Sequence, residues 1–175
     1  MRIKHSGLKG LYGITDSNLM PGTRSLLESV ETALAAGLGI LQYREKYLSY
    51  PERLQQAQEL RVLCHEHDAL LIINDDVELA AEVNADGVHL GGQDGSIRHA
   101  RERLRADSII GSSCYNRLEL ALEAVGHGAD YVAFGRFFPS NTKPGAIQAD
   151  PELLRPARQS LAVPICAIGG ITVAN

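Results

Sequence analysis

The sequence predicts an α/β fold in which a parallel sheet is covered by helices, and three observations carry that prediction. Short apolar runs alternate with segments of helical periodicity along the 175 residues. Each run is apolar nearly throughout rather than at every second position, as strands buried on both faces are. Polar residues follow one strand after another instead of gathering at a single crevice, and no GxGxxG opens the chain. With every strand short, this pattern favours an eight-stranded (β/α) barrel over an open doubly wound sheet.

The elements follow in order. Residues 10–15 read as an apolar strand that stops at Asp16, and after the turn Pro21-Gly22 residues 23–36 carry apolar side chains at helical spacing. Residues 40–43 are the second strand, and the helix over 51–67 starts with Pro51 in its first turn. Strand and helix then alternate as 70–73 and 76–84, 87–90 and 96–104, 109–112 and 117–126, 131–135 and 151–160, with a seventh strand over 164–168. After that strand the chain continues only as Gly169-Gly170-Ile171-Thr172-Val173-Ala174-Asn175. A complete barrel rarely has fewer than ~200 residues. The expectation is therefore one domain over 1–175 that is C-terminally incomplete, lacking the last helix, strand and helix of the barrel.

Composition limits the function. With 45% hydrophobic and 22% charged residues the chain can bury one sizeable core. A net charge of -4 argues against a nucleic-acid or anionic-membrane surface. Residues 1–9 hold no apolar run of signal-peptide length and no stretch approaches a membrane span, so a cytoplasmic protein is expected. Cys64, Cys114 and Cys166 show neither CxxC nor zinc spacing and read as thiols. His65 and His67, two apart on a helix end, do not face each other as metal ligands would.

Local cationic spots must then be local in purpose, and Leu41-Gln42-Tyr43-Arg44-Glu45-Lys46 is one, with Arg44 and Lys46 two apart. Strand alternation puts Gln42, Arg44 and Lys46 on one face and Tyr43 and Glu45 on the other, with Gln42 to Lys46 spanning ~13 Å, the reach of a diphosphate ester. The alternative is a surface strand in which Glu45 pairs with a neighbour. In a barrel the site lies where strands run into helices, so the residues after each strand matter. The third strand ends in Asn74-Asp75-Asp76. Either Asp75 caps the next helix with Glu78 reaching back, or Asp75 binds Mg2+ and Asp76 takes the cap. After the fourth strand, Asp94 is either part of an Asp94-Gly95-Ser96 turn or a second carboxylate sharing that cation. His89, within that strand, fits a core residue better than a ligand. The loops holding Ser113 and Ser140-Asn141-Thr142-Lys143 offer hydroxyls, an amide and an ammonium to an anion, or are ordinary polar turns. Gly169-Gly170 would let backbone amides approach a phosphate at a helix N-terminus.

Taken together, Leu11-Tyr12-Gly13-Ile14-Thr15-Asp16, Gln42-Tyr43-Arg44-Glu45-Lys46, Ile73-Asn74-Asp75-Asp76, Asp86-Gly87-Val88-His89-Leu90-Gly91, Ser140-Asn141-Thr142-Lys143 and Ala167-Ile168-Gly169-Gly170-Ile171 resemble the thiamine-phosphate synthase family. The resemblance implies a TIM (β/α)8 barrel and a transferase joining hydroxymethylpyrimidine diphosphate to thiazole phosphate, with release of diphosphate. It implies that Gln42, Tyr43, Arg44, Glu45 and Lys46, with Asn74, Ser113 and Lys143, hold the pyrimidine diphosphate. Asp75 and Asp94 would bind Mg2+, Ser140, Asn141 and Thr142 would face the thiazole phosphate, and Gly170 would meet its phosphate group. Arg44, Lys46 and Lys143 would stabilise the departing diphosphate, so no side-chain nucleophile is needed. The partners implied are these small molecules, with a homo-oligomer an open expectation. One departure stands out: Gly91-Gly92-Gln93-Asp94 shifts the glutamine of the family's Gly-Gln-x-Asp while leaving Asp94 in register. The rival readings are a related thiazole tautomerase, which would need a His near the fifth strand where residues 112–116 have none, and a noncatalytic phosphate-binding barrel.

Overall fold

The computed structural model describes residues 8–91, 95–139 and 147–175. Strands and helices alternate throughout, and the chain divides into two compact units. The first unit takes Met1–His89 and Ala100–Ile109. Its strands β1 (Tyr12–Ile14), β2 (Ile40–Tyr43), β3 (Leu70–Asn74) and β4 (Gly87–Leu90) lie side by side in chain order, each parallel to the next.

Between the strands run α1 (Gly22–Ala35), α2 (Tyr50–Glu66) and α3 (Val77–Glu82). Helix α1 buries Leu26, Val30 and Leu34, a four-residue spacing that puts one stripe against the sheet. Helix α2 starts where Glu52 Oε2 accepts both the Ser49 N–H (3.0 Å) and the Ser49 hydroxyl (2.5 Å), and Pro51 needs no amide partner in the first turn. It buries Ala57, Leu60 and Cys64. The start of β4 is tied to β3 by Asp86, whose Oδ2 accepts the Leu71 N–H at 2.8 Å.

Leu90–His99 and Ile110–Asn175 make up the second unit. Here β5 (Ile109–Tyr115), β6 (Tyr131–Phe134) and β7 (Ile165–Ala167) pair in parallel and in chain order. Helix α4 (Ile97–Arg103) precedes β5, α5 (Leu118–Gly126) follows it, and a 3-10 turn over Pro151–Leu153 leads into α6 (Leu154–Ser160). The core gathers Cys114, Val132, Phe134, Phe137 and Leu161 around the small faces of Ala121, Ala124 and Ala157. Asp130 repeats the Asp86 device, its Oδ2 accepting the Ile110 N–H at 2.8 Å.

Two differences from the sequence reading affect the site. Strand β5 runs on to Tyr115, so Gly111-Ser112-Ser113-Cys114 lies inside it rather than in a following loop. The serines pair as strand residues, Ser112 opposite Val132 and Ser113 opposite Ala133, with the register shifting between Ser113 and Tyr115. Judging strands by apolarity alone ended this one three residues early. No helix follows β7 among the described residues, where Thr172 and Asn175 instead close a turn, the Thr172 N–H donating to Asn175 Oδ1 at 2.7 Å. Among the described residues no helix is long and apolar enough to cross a membrane.

Candidate active site at the strand ends

In the first unit the site is assembled from the C-terminal ends of β1, β2 and β3. Strand β2 stops at Tyr43, so the shared face predicted for Gln42, Arg44 and Lys46 ends with Gln42. The physical cause is Thr15, which lies past the end of β1. Its amide donates to the Gln42 carbonyl at 3.0 Å, continuing the ladder. Its hydroxyl then replaces the next ladder position, accepting the Arg44 N–H at 2.8 Å and donating to the Arg44 carbonyl at 3.2 Å. Glu45 turns the chain further, because its Oε1 accepts the amides of Tyr47 (2.7 Å) and Leu48 (3.4 Å). Among the described residues Glu45 makes no ion pair, and its carboxylate holds the loop.

Gln42 and Tyr43 are both buried. The Gln42 amide donates to the Tyr12 hydroxyl at 2.8 Å, and the Tyr43 hydroxyl donates to Gln56 Oε1 at 2.7 Å, with Gln56 Nε2 passing the chain on to Thr23 at 2.9 Å. Burial, reinforced by the nearby Glu45 carboxylate, raises the Tyr43 phenol, so it stays a neutral donor. The Arg44 guanidinium has no ion-pair partner among the described residues. It borders a cleft of about 270 Å³ lined also by Thr15, Met20, Tyr43, Tyr47 and Leu48.

The end of β3 shows which member of the acidic pair caps α3. Asp76 is the N-cap of α3, its Oδ1 accepting the Leu79 N–H at 2.9 Å while Oδ2 accepts from Arg53 at 2.9 Å. Asp75 is therefore free of capping. Its backbone is left-handed (φ 63°) and its amide donates to the His89 carbonyl at 2.8 Å, which anchors the residue to β4. Its Oδ2 accepts from Asn74 Nδ2 at 2.6 Å and from the Lys46 ammonium. Lys46, Asn74 and Asp75 thus meet at the ends of β2 and β3.

Whether this cluster suits Mg2+ can be judged from its donors. Mg2+ is commonly held by one or two carboxylates with phosphate oxygens and water, and Asp75 offers one half-buried carboxylate with no structural duty as a cap. Among the described residues no three His, Cys, Asp or Glu side chains cluster as a complete metal cage. The Asp75 carboxylate fits a metal that shares its coordination with a phosphate ligand. Asp94, Ser140, Asn141, Thr142 and Lys143 lie outside the described residues.

In the second unit, Ser113 is a strand residue of β5 and Cys114 beside it is fully buried. Burial pushes the Cys114 thiol up to about 11, which removes it as a nucleophile at neutral pH. Gly169 and Gly170 adopt φ values of 100° and 65° after β7. A Cβ on Gly169 would lie 2.3 Å from Arg136 Cβ, and one on Gly170 2.3 Å from the Pro139 carbonyl oxygen. The glycines therefore admit the loop after β6, which is held by Phe137 N–H to Ile168 O (3.1 Å) and Phe138 N–H to Gly169 O (2.9 Å). The Gly170 amide donates to no group among the described residues.

Sequence reasoning did not single out Thr15 or Arg53. Thr15 was legible as the last polar residue of the first strand, whereas the Arg53 to Asp76 pair, 23 residues apart, leaves no local signal.

Comparison with known proteins agrees with this geometry. The family model described as thiamine monophosphate synthase matches residues 11–175. The chain is 54% identical over 165 residues to the thiamine-phosphate synthase of Saccharophagus degradans, covering 94% of this chain and 76% of that protein. It is 52% identical over 170 residues to the thiamine-phosphate synthase of Nitrosococcus oceani, covering 97% and 78%. Among solved structures, thiamine phosphate pyrophosphorylase from Pyrococcus furiosus superposes with a TM-score of 0.84 at 41% identity, covering 95% of this chain and 77% of that one. With strands and helices alternating in the order that a TIM-type α/β fold requires, and relatives at this level of identity, the chain belongs to the thiamine monophosphate synthase family.

Proposed function

We propose that this chain is a transferase that joins hydroxymethylpyrimidine diphosphate to a thiazole phosphate, giving thiamine phosphate and diphosphate. The observation that carries the reading is the meeting of Lys46, Asn74 and Asp75 at the ends of β2 and β3, in a chain 54% identical to a thiamine-phosphate synthase. Arg44, with no counter-ion among the described residues, supplies a guanidinium beside the cleft.

In the reaction the bond from the pyrimidine methylene carbon to the diphosphate oxygen breaks and its electron pair leaves with the oxygen. The thiazole nitrogen lone pair then forms the new C–N bond. Charge accumulates on the departing diphosphate, so preplaced cations there lower the barrier more than they strengthen substrate binding. Arg44 can grip two phosphate oxygens through its planar fork, while Lys46 acts as a point charge. The family resemblance assigns Asn74, Ser113 and Lys143 to the same diphosphate. Gln42, Tyr43 and Glu45 act through the scaffold, which orients Arg44. The family resemblance assigns Ser140, Asn141 and Thr142 to the thiazole phosphate and the Gly170 amide to its phosphate group. Asp75 and Asp94 would hold Mg2+, which when bound neutralises diphosphate charge. The cytoplasm is the compartment proposed, and the three free cysteines fit its reducing conditions.

Incubating the purified chain with both substrates and Mg2+ tests this. Formation of thiamine phosphate and diphosphate in equal amounts is the expected result; release of diphosphate alone, or no turnover, rejects it. Conversion of the thiazole between tautomers would favour the tautomerase, yet β5 (Ile109–Tyr115) provides no histidine for it.

A further inference from the structure

We propose that Lys46 is the resting counter-ion of Asp75, and that a divalent cation and a diphosphate displace it together, the ammonium passing from carboxylate to phosphate as the metal enters. The inference rests on the reading above that Asp75 takes the metal and Lys46 the diphosphate.

The same oxygen of Asp75 already accepts from two donors, the Lys46 ammonium and Asn74 Nδ2 at 2.6 Å. A divalent cation bonded to that oxygen at about 2.0–2.1 Å leaves no place for the ammonium. Bound instead to the other carboxylate oxygen, it would face a like charge across a single carboxylate. In either arrangement the ammonium opposes the metal, and binding is tighter if one of the two gives way. Asp75 is fixed by its left-handed backbone and its amide bond to His89 O at 2.8 Å, whereas the Lys46 side chain is 41% exposed and follows the end of β2. Lys46 is therefore the group that moves.

Without an anion the displaced ammonium loses its partner, which weakens metal binding. With a diphosphate present it gains phosphate oxygens as Asp75 gains the metal, so each ligand favours the other by the same factor. This exchange keeps Asp75 neutralised before substrate arrives and makes the metal enter with its diphosphate.

Mn2+ binding followed by the electron paramagnetic resonance of free Mn2+ tests this on the full chain without substrates. Lys46→Met is expected to bind Mn2+ at least about threefold tighter than wild type, within the range that breaking an exposed ion pair allows. Arg44→Met, which removes a cation not paired with Asp75, should stay within about twofold, and this separates pairing from net charge. Adding inorganic diphosphate should raise Mn2+ affinity more in the wild type than in Lys46→Met. A thermal melt of each variant, with Lys46→Gln as a second replacement, excludes misfolding as the cause. Unchanged or weaker Mn2+ binding by Lys46→Met and Lys46→Gln overturns the exchange, as does an equal gain in Arg44→Met. Absence of Mn2+ binding in every protein, with turnover persisting in a chelator, rejects the metal assignment and the exchange with it. Tighter Mn2+ binding by Lys46→Met, together with no thiamine phosphate formation by the wild-type chain, keeps the exchange and rejects the substrate reading instead.

Discussion

The Thr15 hydroxyl holds both backbone groups of Arg44, accepting its N–H at 2.8 Å and donating to its carbonyl at 3.2 Å. With Thr15 itself 3% exposed, neither water nor another side chain can easily substitute. Thr15→Val keeps the shape and leaves the Arg44 amide unsatisfied, which should lower stability by roughly 1 to 3 kcal/mol in urea denaturation. Thr15→Ser retains the oxygen and should recover most of that loss. The same Val variant should raise KM for the pyrimidine diphosphate more than for the thiazole phosphate, since Arg44 loses its direction. Equal stability of the Val and Ser variants would show that the hydroxyl clamp contributes nothing.

Of the adjacent carboxylates at the end of β3, Asp76 caps α3 while Asp75 is proposed for the metal, and mutation should separate the two roles. Asp76 caps α3 and accepts from Arg53, so Asp76→Ala should cost about 0.5 to 2 kcal/mol of stability from the cap alone. Asp75→Asn should stay within about 0.5 kcal/mol, because asparagine tolerates the left-handed backbone and the Lys46 pair it removes is part-exposed. Turnover should follow the opposite order, collapsing in Asp75→Asn while Asp76→Ala keeps a measurable rate. Melts and rates measured side by side on both variants decide the assignment, and an active Asp75→Asn rejects it.

Element order was legible in the sequence because buried parallel strands and amphipathic helices leave opposite periodicities; β2 and β4 matched their predicted bounds. What the sequence concealed was the exit of the chain from β2. Alternation predicts a face only while the strand lasts, and the end of β2 is set by Thr15, 29 residues before Arg44. The same holds for Asp75 and Asp76, whose order of duties depends on a left-handed residue that no propensity singles out. Gly169-Gly170 was legible as a special backbone, but its contact with Arg136 and Pro139 arises from loop packing between β6 and β7.

Burial pushes Cys64 up to about 12 and Cys166 to about 11, the nearby Asp86 carboxylate adding to the first. Thiols so raised are almost wholly protonated at neutral pH, and native protein should resist iodoacetamide at pH 8 while the urea-denatured chain takes up three equivalents. The sign of the stability effect follows. The folded state binds its thiol protons more tightly than the unfolded state, whose value is near 9.0. This stabilisation is complete below pH 9.0 and declines between that value and about 12. Denaturation at pH 8 and pH 10 checks it; equal stabilities, in a variant with the other groups that titrate there held constant, would contradict the assignment. Cys64→Ala should flatten the slope.

Gly170 has a backbone duty and a proposed phosphate contact, which a single substitution confounds. At φ 65° an alanine costs roughly 1 to 2 kcal/mol from backbone alone. Its Cβ would also lie 2.3 Å from the Pro139 carbonyl oxygen and 2.8 Å from that of Phe138, so the loop after β6 must shift. Gly170→Ala should therefore be destabilised by more than about 2 kcal/mol, and Gly169→Ala similarly, with its Cβ 2.3 Å from Arg136 Cβ. Weakened thiazole-phosphate binding in Gly170→Ala would follow from that shift whether or not the Gly170 amide touches the phosphate. Pairing the mutation with a change in the ligand separates the two. The thiazole alcohol, which lacks the phosphate, should lose little affinity on Gly170→Ala, whereas the thiazole phosphate should lose more, by a coupling of about 1 kcal/mol or above if the amide contacts the phosphate. Equal losses for the two ligands would leave Gly170 as a packing residue and move the phosphate elsewhere.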